Sequence, residues 1–352
     1  MLPFHNKIMD TQQNEKGKDY SQLMSRRIRR ILLVCNSYDS YTLEEDGRLE
    51  VQITQEYSEL NLSNPPSITR VASTIEALEL INRCEQFDLV ITMYNVGEMD
   101  VYTFSHKMKQ ICPNTPVVLL TNFSKEIYRQ IEQADTSDLD YVFCWNNSTD
   151  LIIAIIKLIE DNMNADHDIL EFGVQTILLV EDSIRYYSTY LPAIYKLVLQ
   201  QNGASVRDAL NEQQQIARKR ARPKILMATN YDDAVAMYER YKSNMFGVIS
   251  DVGFVIHKGD DPATEKLDAG IDLCNLIRKD NPTMPFLMQS SQESMREVAE
   301  QLGVGFVVIC EENEAEKIMG TLKEYCNCQI IGKVTDDEKI TVKAFEGSEI
   351  EY

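Results

Sequence analysis

Thr176-Ile177-Leu178-Leu179-Val180-Glu181-Asp182-Ser183 is a strand-forming run that stops abruptly at two carboxylates. An unbroken apolar stretch such as Ile177 to Val180 suits a strand buried on both faces, as in a parallel sheet covered by helices. The same kind of run recurs downstream. Lys224 to Ala228, Gly247 to Asp251, Pro285 to Gln289 and Phe306 to Ile309 all read as short buried strands. Between them lie stretches with helical spacing of apolar residues: Ser183 to about Gln201, a second stretch to about Arg220, Tyr231 to Tyr241, Ala269 to Arg278, Glu293 to Leu302 and Glu314 to Tyr325. Asp232-Asp233 open one of these helices, where acidic side chains suit the helix dipole.

The pattern also occurs earlier in the chain. Ile31 to Val34, Ile68 to Ala72, Phe87 to Met93, Pro116 to Leu120 and Tyr141 to Trp145 read as strands. Thr74 to Cys84, Val101 to Ile111, Lys125 to Gln133 and Thr149 to Met163 read as helices, and Ser37 to Pro66 as a polar loop or insertion. Strand and helix alternate through both halves. The expected fold is α/β, two doubly wound five-stranded parallel sheets with helices on both faces. The expected boundaries are a lead-in over 1–27, a first domain over 28–165, a linker near 164–174, a second domain over 175–326 with a helical insertion at 183–222, and a tail over 327–352. In the tail, Gln329 to Val334 and Lys339 to Phe345 flank Thr335-Asp336-Asp337-Glu338, a β-hairpin signal.

The formal net charge of -20 argues against a nucleic-acid partner, which would repel it, and against a polybasic membrane anchor. Arg26-Arg27-Arg29-Arg30 and Arg218-Lys219-Arg220-Arg222 are short enough to be solvated faces. No apolar stretch is long enough to span a bilayer, and Met1 to Asn14 lacks the apolar centre of a signal peptide. The eight cysteines are scattered, several inside apolar runs, so a reducing cytoplasm without a disulfide framework is expected. Cys326 and Cys328 have no second ligand pair nearby for zinc. The histidines are isolated from one another, and there is no Walker A pattern.

In an open α/β sheet, ligands gather outside the carboxyl ends of the strands. Glu181-Asp182, Asp251 and Ser290 all fall there. Three carboxylates at one rim repel one another, and a hard cation relieves that repulsion. Mg2+, which takes oxygen ligands, is the expected ion. With the metal in place, the Asp251 carboxylate could attack a phosphoryl group.

These residues, in this strand order, resemble the receiver domain of two-component response regulators over about 175–325. Val180-Glu181-Asp182-Ser183 resembles the family's acidic pair, Val248-Ile249-Ser250-Asp251 its phosphoacceptor strand, and Pro285 to Ser290 its switch strand. The resemblance implies that Glu181 and Asp182 bind Mg2+ together with Asp251. It implies that Asp251 accepts a phosphoryl group from a histidine kinase or phosphotransfer protein, and that Ser290 contacts it. The usual lysine at the end of strand five is missing: Ile309 stands nearest to its place, and Lys258 or Lys266 would have to substitute. The first half resembles the same family with its chemistry removed. Met93 takes the acceptor place, Cys35-Asn36 the acidic pair and Cys144-Trp145 the usual Lys-Pro, while Thr121 is retained. A narrower resemblance, carried by Val180 to Tyr187, Ala221 to Leu226 and Gly247 to Val252, is to receiver regions attached to phosphoenolpyruvate-synthase-like bacterial proteins.

The function these readings imply is a cytoplasmic phosphorelay protein, not an enzyme, acting through an output protein and with a homodimer among its expected assemblies. The alternative is a scaffold in which both domains are pseudo-receivers and 183–222 is the binding surface. A third reading, a Mg2+-dependent phosphatase, is disfavoured because Gly253 stands where a second aspartate is usual.

Overall fold

The computed structural model describes residues 22–36, 49–60, 62, 64–83, 85–97, 99–122, 127, 129–131, 134–145, 148–207, 220–261, 264–290, 305–308, 341–343 and 349–351. The expected helices 293–302 and 314–325, Cys310, Cys326 and Cys328, and the expected strand 329–334 lie outside these residues.

The chain is α/β, with two parallel sheets. The first holds β1 (Arg30–Val34), β2 (Ser67–Val71), β3 (Leu89–Met93), β4 (Val117–Asn122) and β5 (Tyr141–Trp145), in the order β2-β1-β3-β4-β5. The second holds β6 (Thr176–Val180), β7 (Lys224–Ala228), β8 (Met245–Asp251), β9 (Phe286–Ser290) and β10 (Gly305–Val308), in the order β10-β9-β8-β6-β7. Read from its other edge, the second sheet repeats the order of the first. The central strand β3 and the edge strand β7 are buried along their whole length. This is why they read as continuous apolar runs and not as alternating ones.

The helices are α1 (Leu49–Glu59), α2 (Thr74–Asn82), α3 (Val101–Ile111), α4 (Thr149–Ala165), α5 (Ile184–Arg207), α6 (Tyr231–Tyr241) and α7 (Ala269–Asp280). Side chains of the expected type cap several of them. Ser73 accepts from Glu76 N, Asp100 from Tyr102 N and Thr103 N, Ser148 from Asp150 N, and Asn230 from Asp233 N. Each satisfies an amide that the first turn leaves unpaired.

Three expectations change. The polar stretch 37–66 contains α1, because Leu49, Ile53 and Tyr57, spaced four apart, form one buried stripe on an otherwise charged sequence. The expected linker 164–174 is not a loose connection. Helix α4 runs into a π-helical turn, Asp166–Glu171, in which Asp168 and Ile169 are fully buried. Third, the antiparallel pair described near the C-terminus joins β11 (Thr341–Lys343) to β12 (Glu349–Glu351), a strand the sequence reading does not place.

Helix α4 is the centre of the molecule. Leu151 to Glu160 are buried without a break. One hydrophobic core takes in β1, β3 and β4 of the first sheet together with Leu179, Tyr187, Leu191, Tyr195, Ile225 and Met227 of the second half. A second core lies on the other face of the second sheet, around Val248, Phe254, Leu273 and Phe286. Between the halves sits a buried ionic cluster. Arg222 donates to both oxygens of Asp161, at 2.9 and 2.7 Å, and Ile225 N and the Tyr195 hydroxyl donate to the same carboxylate. Lys224 Nζ lies 2.7 Å from Asp168 Oδ2. The end of the lead-in also docks here: Met24 N donates to Asp168, and Ile28 N to Glu160.

Candidate metal centre

Three strand ends build the site. β6 ends at Val180, so Glu181 and Asp182 fall on the sheet edge; β8 ends at Asp251; β9 carries Gln289 in register with Asp251. Neighbouring residues on parallel strands point to the same side, so the Gln289 amide comes over the acidic pair. One carboxylate oxygen from each of Glu181, Asp182 and Asp251 lies within 4.8 Å of the others, a spacing that one divalent cation could span. Among the described residues this is the one cluster of its kind, and none of its members forms an ion pair with a lysine or arginine.

Hydrogen bonds hold each carboxylate in place. Glu181 Oε1 accepts from Ser183 N at 3.1 Å and Oε2 from Gln289 Nε2 at 2.9 Å. Asp182 Oδ2 accepts from Val255 N at 3.2 Å, and Asp251 Oδ1 from Val252 N at 2.7 Å. Each oxygen keeps a further lone pair for a cation. These donors do not neutralise the charge. Glu181 is 1% exposed, and burial, the Asp251 charge and the Asp182 charge push its pKa up to about 9. Burial raises Asp251 to about 7, helped by Asp182 and Glu265, and raises Asp182 to about 6, helped by Glu265. Three carboxylates that resist ionisation together are a donor set suited to a hard cation, whose charge reverses that resistance.

The loop after Asp251 is pinned against the rim. Phe254 is fully buried and pairs with Lys266 through two backbone hydrogen bonds. This brings Glu265 over Gly253: a Cβ built on that glycine would fall 2.2 Å from Glu265 Oε1. Gly270 meets backbone instead. Its Cβ would lie 2.2 Å from the Asp251 carbonyl oxygen, so the start of α7 packs directly under the acidic strand end.

The sequence-derived site residues are distributed as follows. Glu181, Asp182 and Asp251 come together. Ser290 ends β9 one residue beyond Gln289, whose amide is the β9 group that reaches Glu181. Lys266 is drawn to Asp272 and Asp268 and is not a rim cation, and His257 pairs with Asp232 at 2.7 Å. Gln289 and Glu265 were not anticipated. Only the register of β8 against β9 and the fold-back of the 252–266 loop reveal them. Among the described residues, the matching edge of the first sheet carries no such cluster: Met93 and Cys35 are buried, and Asn36 donates to the Asn95 carbonyl at 2.6 Å.

Fold and site together define a two-sheet α/β protein with an acidic, cation-ready rim on its second sheet. The family described as AIR synthase related protein, C-terminal domain, matches residues 250–344, under a third of the chain. Over 51 residues the chain is 82% identical to phosphoribosylformylglycinamidine cyclo-ligase of Methanobrevibacter smithii. That stretch is 14% of this chain and 15% of the relative, so the chain spans only a small part of that protein's length. Among solved structures, the receiver domain of an HD-domain protein from Pseudomonas fluorescens matches with 17% identity over 41% of this chain and 94% of its own, at a TM-score of 0.29. A response regulator from Burkholderia pseudomallei with a phosphorylated aspartic acid and a calcium ion matches with 12% identity over 54% and 95%, at a TM-score of 0.28. At such TM-scores these likenesses carry no functional weight.

The sequence matches correct the functional expectation. The segment expected to hold the acceptor and switch residues, from 250 onward, aligns with an AIR synthase-related domain, and the curated match is to a cyclo-ligase. Both point to an enzyme family and away from a response regulator. The phosphorelay function, its scaffold alternative, the histidine kinase or phosphotransfer partner and the assignment as a non-enzyme are therefore withdrawn. Among the described residues, no helix is long and apolar enough to cross a membrane.

Proposed function

We propose that the chain is an enzyme-like relative of AIR synthase in which Glu181, Asp182 and Asp251 hold Mg2+ and present it to a phosphate-bearing substrate. The observation that carries this is the meeting of three carboxylate oxygens within 4.8 Å, with no basic partner among the described residues. Mg2+ binds through one or two protein carboxylates plus substrate phosphate oxygens, which is the role left for a ligand at an open sheet edge. The cyclo-ligase match names a phosphoribosyl compound as that relative's substrate, and by this reading the substrate here belongs to the same class. Bound Mg2+ would neutralise charge on the phosphate. Gln289 would hold Glu181 in its ligating orientation, and the Val255 and Val252 amides would do the same for Asp182 and Asp251.

The repeated strand order supports reading 28–165 and 175–326 as two doubly wound units of one architecture, the first without the acidic site and serving to pack. The test is binding of phosphoribosylformylglycinamidine with and without Mg2+, in the wild type and in Asp251→Asn. Mg2+-dependent binding that the substitution removes is expected. Binding indifferent to Mg2+, or none, contradicts the reading.

A further inference from the structure

The edge of the first sheet at β5 is closed by a helix of the second half. β5 is the last strand in its sheet, so the backbone groups on its outer side have no neighbouring strand to pair with. Alternate residues of such a strand turn those groups outward, and two of them find partners on α5. Cys144 N donates to the Ser188 hydroxyl at 2.9 Å, and the Tyr187 hydroxyl donates to the Val142 carbonyl. Ser188 in turn donates to the Ile184 carbonyl at 2.5 Å, and the Tyr187 ring stands edge-on to Phe143 with centroids 5.3 Å apart. Both residues are buried. Adjacent side chains of one helix thus take the place of a further strand.

The same helix starts at the acidic rim. Ser183 N donates to Glu181 Oε1 at 3.1 Å, and the Ser183 carbonyl accepts from Tyr187 N at 3.0 Å. A continuous run of hydrogen bonds therefore leads from a rim carboxylate through Ser183 and Tyr187 to the β5 edge. A group that hydrogen-bonds a metal ligand fixes the orientation of that ligand. The β5 edge resists any shift of α5, because Val142 and Cys144 would be left with unmade hydrogen bonds.

We propose that Tyr187 and Ser188 are positioning residues for the rim: by fastening α5 to the edge of the first sheet they hold Glu181 ready for a cation, so that the half without an acidic site sets the geometry of the half that has one. The proposal rests on the cation reading of the rim and extends it to the first half. Such coupling is reciprocal, so a cation at the rim also tightens the β5 edge. Trp145 reports on that edge: it is the one tryptophan of the chain, it follows Cys144, and it is buried.

The test follows Mg2+ affinity and Trp145 emission together. In the wild type, Mg2+ should shift the emission with the same half-saturation as calorimetric binding. Tyr187→Phe and Ser188→Ala each delete one oxygen. The double variant should bind Mg2+ about fivefold more weakly, the lower end of coupling between distinct sites, and should lose the emission shift. Tyr187→Phe alone, which keeps the ring against Phe143, decides the matter if the double variant does not fold. Tyr195→Phe makes the same chemical change about two turns along α5, at the bond to Asp161, and should lower the melting temperature while leaving both readouts as in the wild type. Wild-type affinity in the double variant overturns the proposal. So does an equal weakening in Tyr195→Phe, which would mark general loosening of the helix, and so does Mg2+ binding that leaves wild-type emission unmoved. Absence of Mg2+ binding overturns the rim reading instead, and Glu181→Ala then decides the fastening without metal. It removes the acceptor of the Ser183 amide, so it should shift Trp145 emission in the wild-type background and not in the double variant; emission unmoved in both overturns the fastening.

Discussion

At the scale of single residues, the rim is held in a strained electrostatic state, and its titration should show this. The pKa values of Glu181, Asp182 and Asp251 are all raised, to about 9, 6 and 7. A carboxylate whose folded pKa lies above its unfolded value favours the fold while protonated. Its contribution is present at low pH and is lost as pH rises through the folded value. The metal-free protein should therefore lose stability between about pH 5 and pH 9, in macroscopic steps that belong to the cluster as a whole. Mg2+ should cancel the loss; thermal melts across that range, with and without the ion, check it. At pH 8 the fold must keep the buried Glu181 protonated, although the unfolded chain ionises it; Glu181→Gln removes that cost, so it should raise the melting temperature of the metal-free protein at pH 8. Gly270→Ala is a different kind of change. Its Cβ meets the Asp251 carbonyl, which cannot swing away, and the cost should be about 2 kcal/mol or more in a denaturation experiment. Gly253→Ala meets only the flexible end of Glu265 and should cost less. At this scale the sequence displayed the acids, because carboxylates after buried strands fall at the ligand edge. It could not display Gln289 or Glu265, which reach the site through strand register and a folded loop.

At the scale of elements, the strands were legible because buried parallel strands are written as uninterrupted apolar runs. β5, β6, β7 and α6 begin and end where the sequence places them. Helix α1 was obscured by the polar residues around its stripe of Leu49, Ile53 and Tyr57. The end of α4 was obscured by Asn164, Asp166 and Asp168, whose polarity reads as a linker but is used for ionic and backbone contacts. Asp161 shows what those contacts are worth. Burial pushes its pKa up, but Arg222 and Lys224 outweigh burial and hold it below the usual carboxylate range. Asp161→Ala would leave Arg222 buried without its carboxylate partner and Lys224 with Asp168 alone. Such a loss costs about 3–5 kcal/mol, measurable by urea unfolding. Replacing one exposed partner of the Arg83–Glu79 surface pair should change stability by no more than about 0.5 kcal/mol.

At the scale of the molecule, the two sheets share a core through α4, and the acidic rim stands on the second half, where α5 begins. The net charge of -20 adds to the pull on a cation and opposes an unaccompanied phosphate, so a phosphorylated ligand should bind with its metal. What the sequence conveyed at this level was architecture. Its functional expectation, drawn from likeness of the rim to a signalling family, gave way to the match over residues 250–344. A rim of acids is shared by many phosphate-handling folds, so architecture alone does not select the chemistry. The central claim is that the rim is a cation site, and calorimetric titration with Mg2+ at pH 7, in two buffers of different ionisation enthalpy, tests it most directly. One ion should bind with release of protons, and binding should weaken about tenfold or more in Asp251→Asn. Heat independent of the buffer, or affinity unchanged by that substitution, would contradict it.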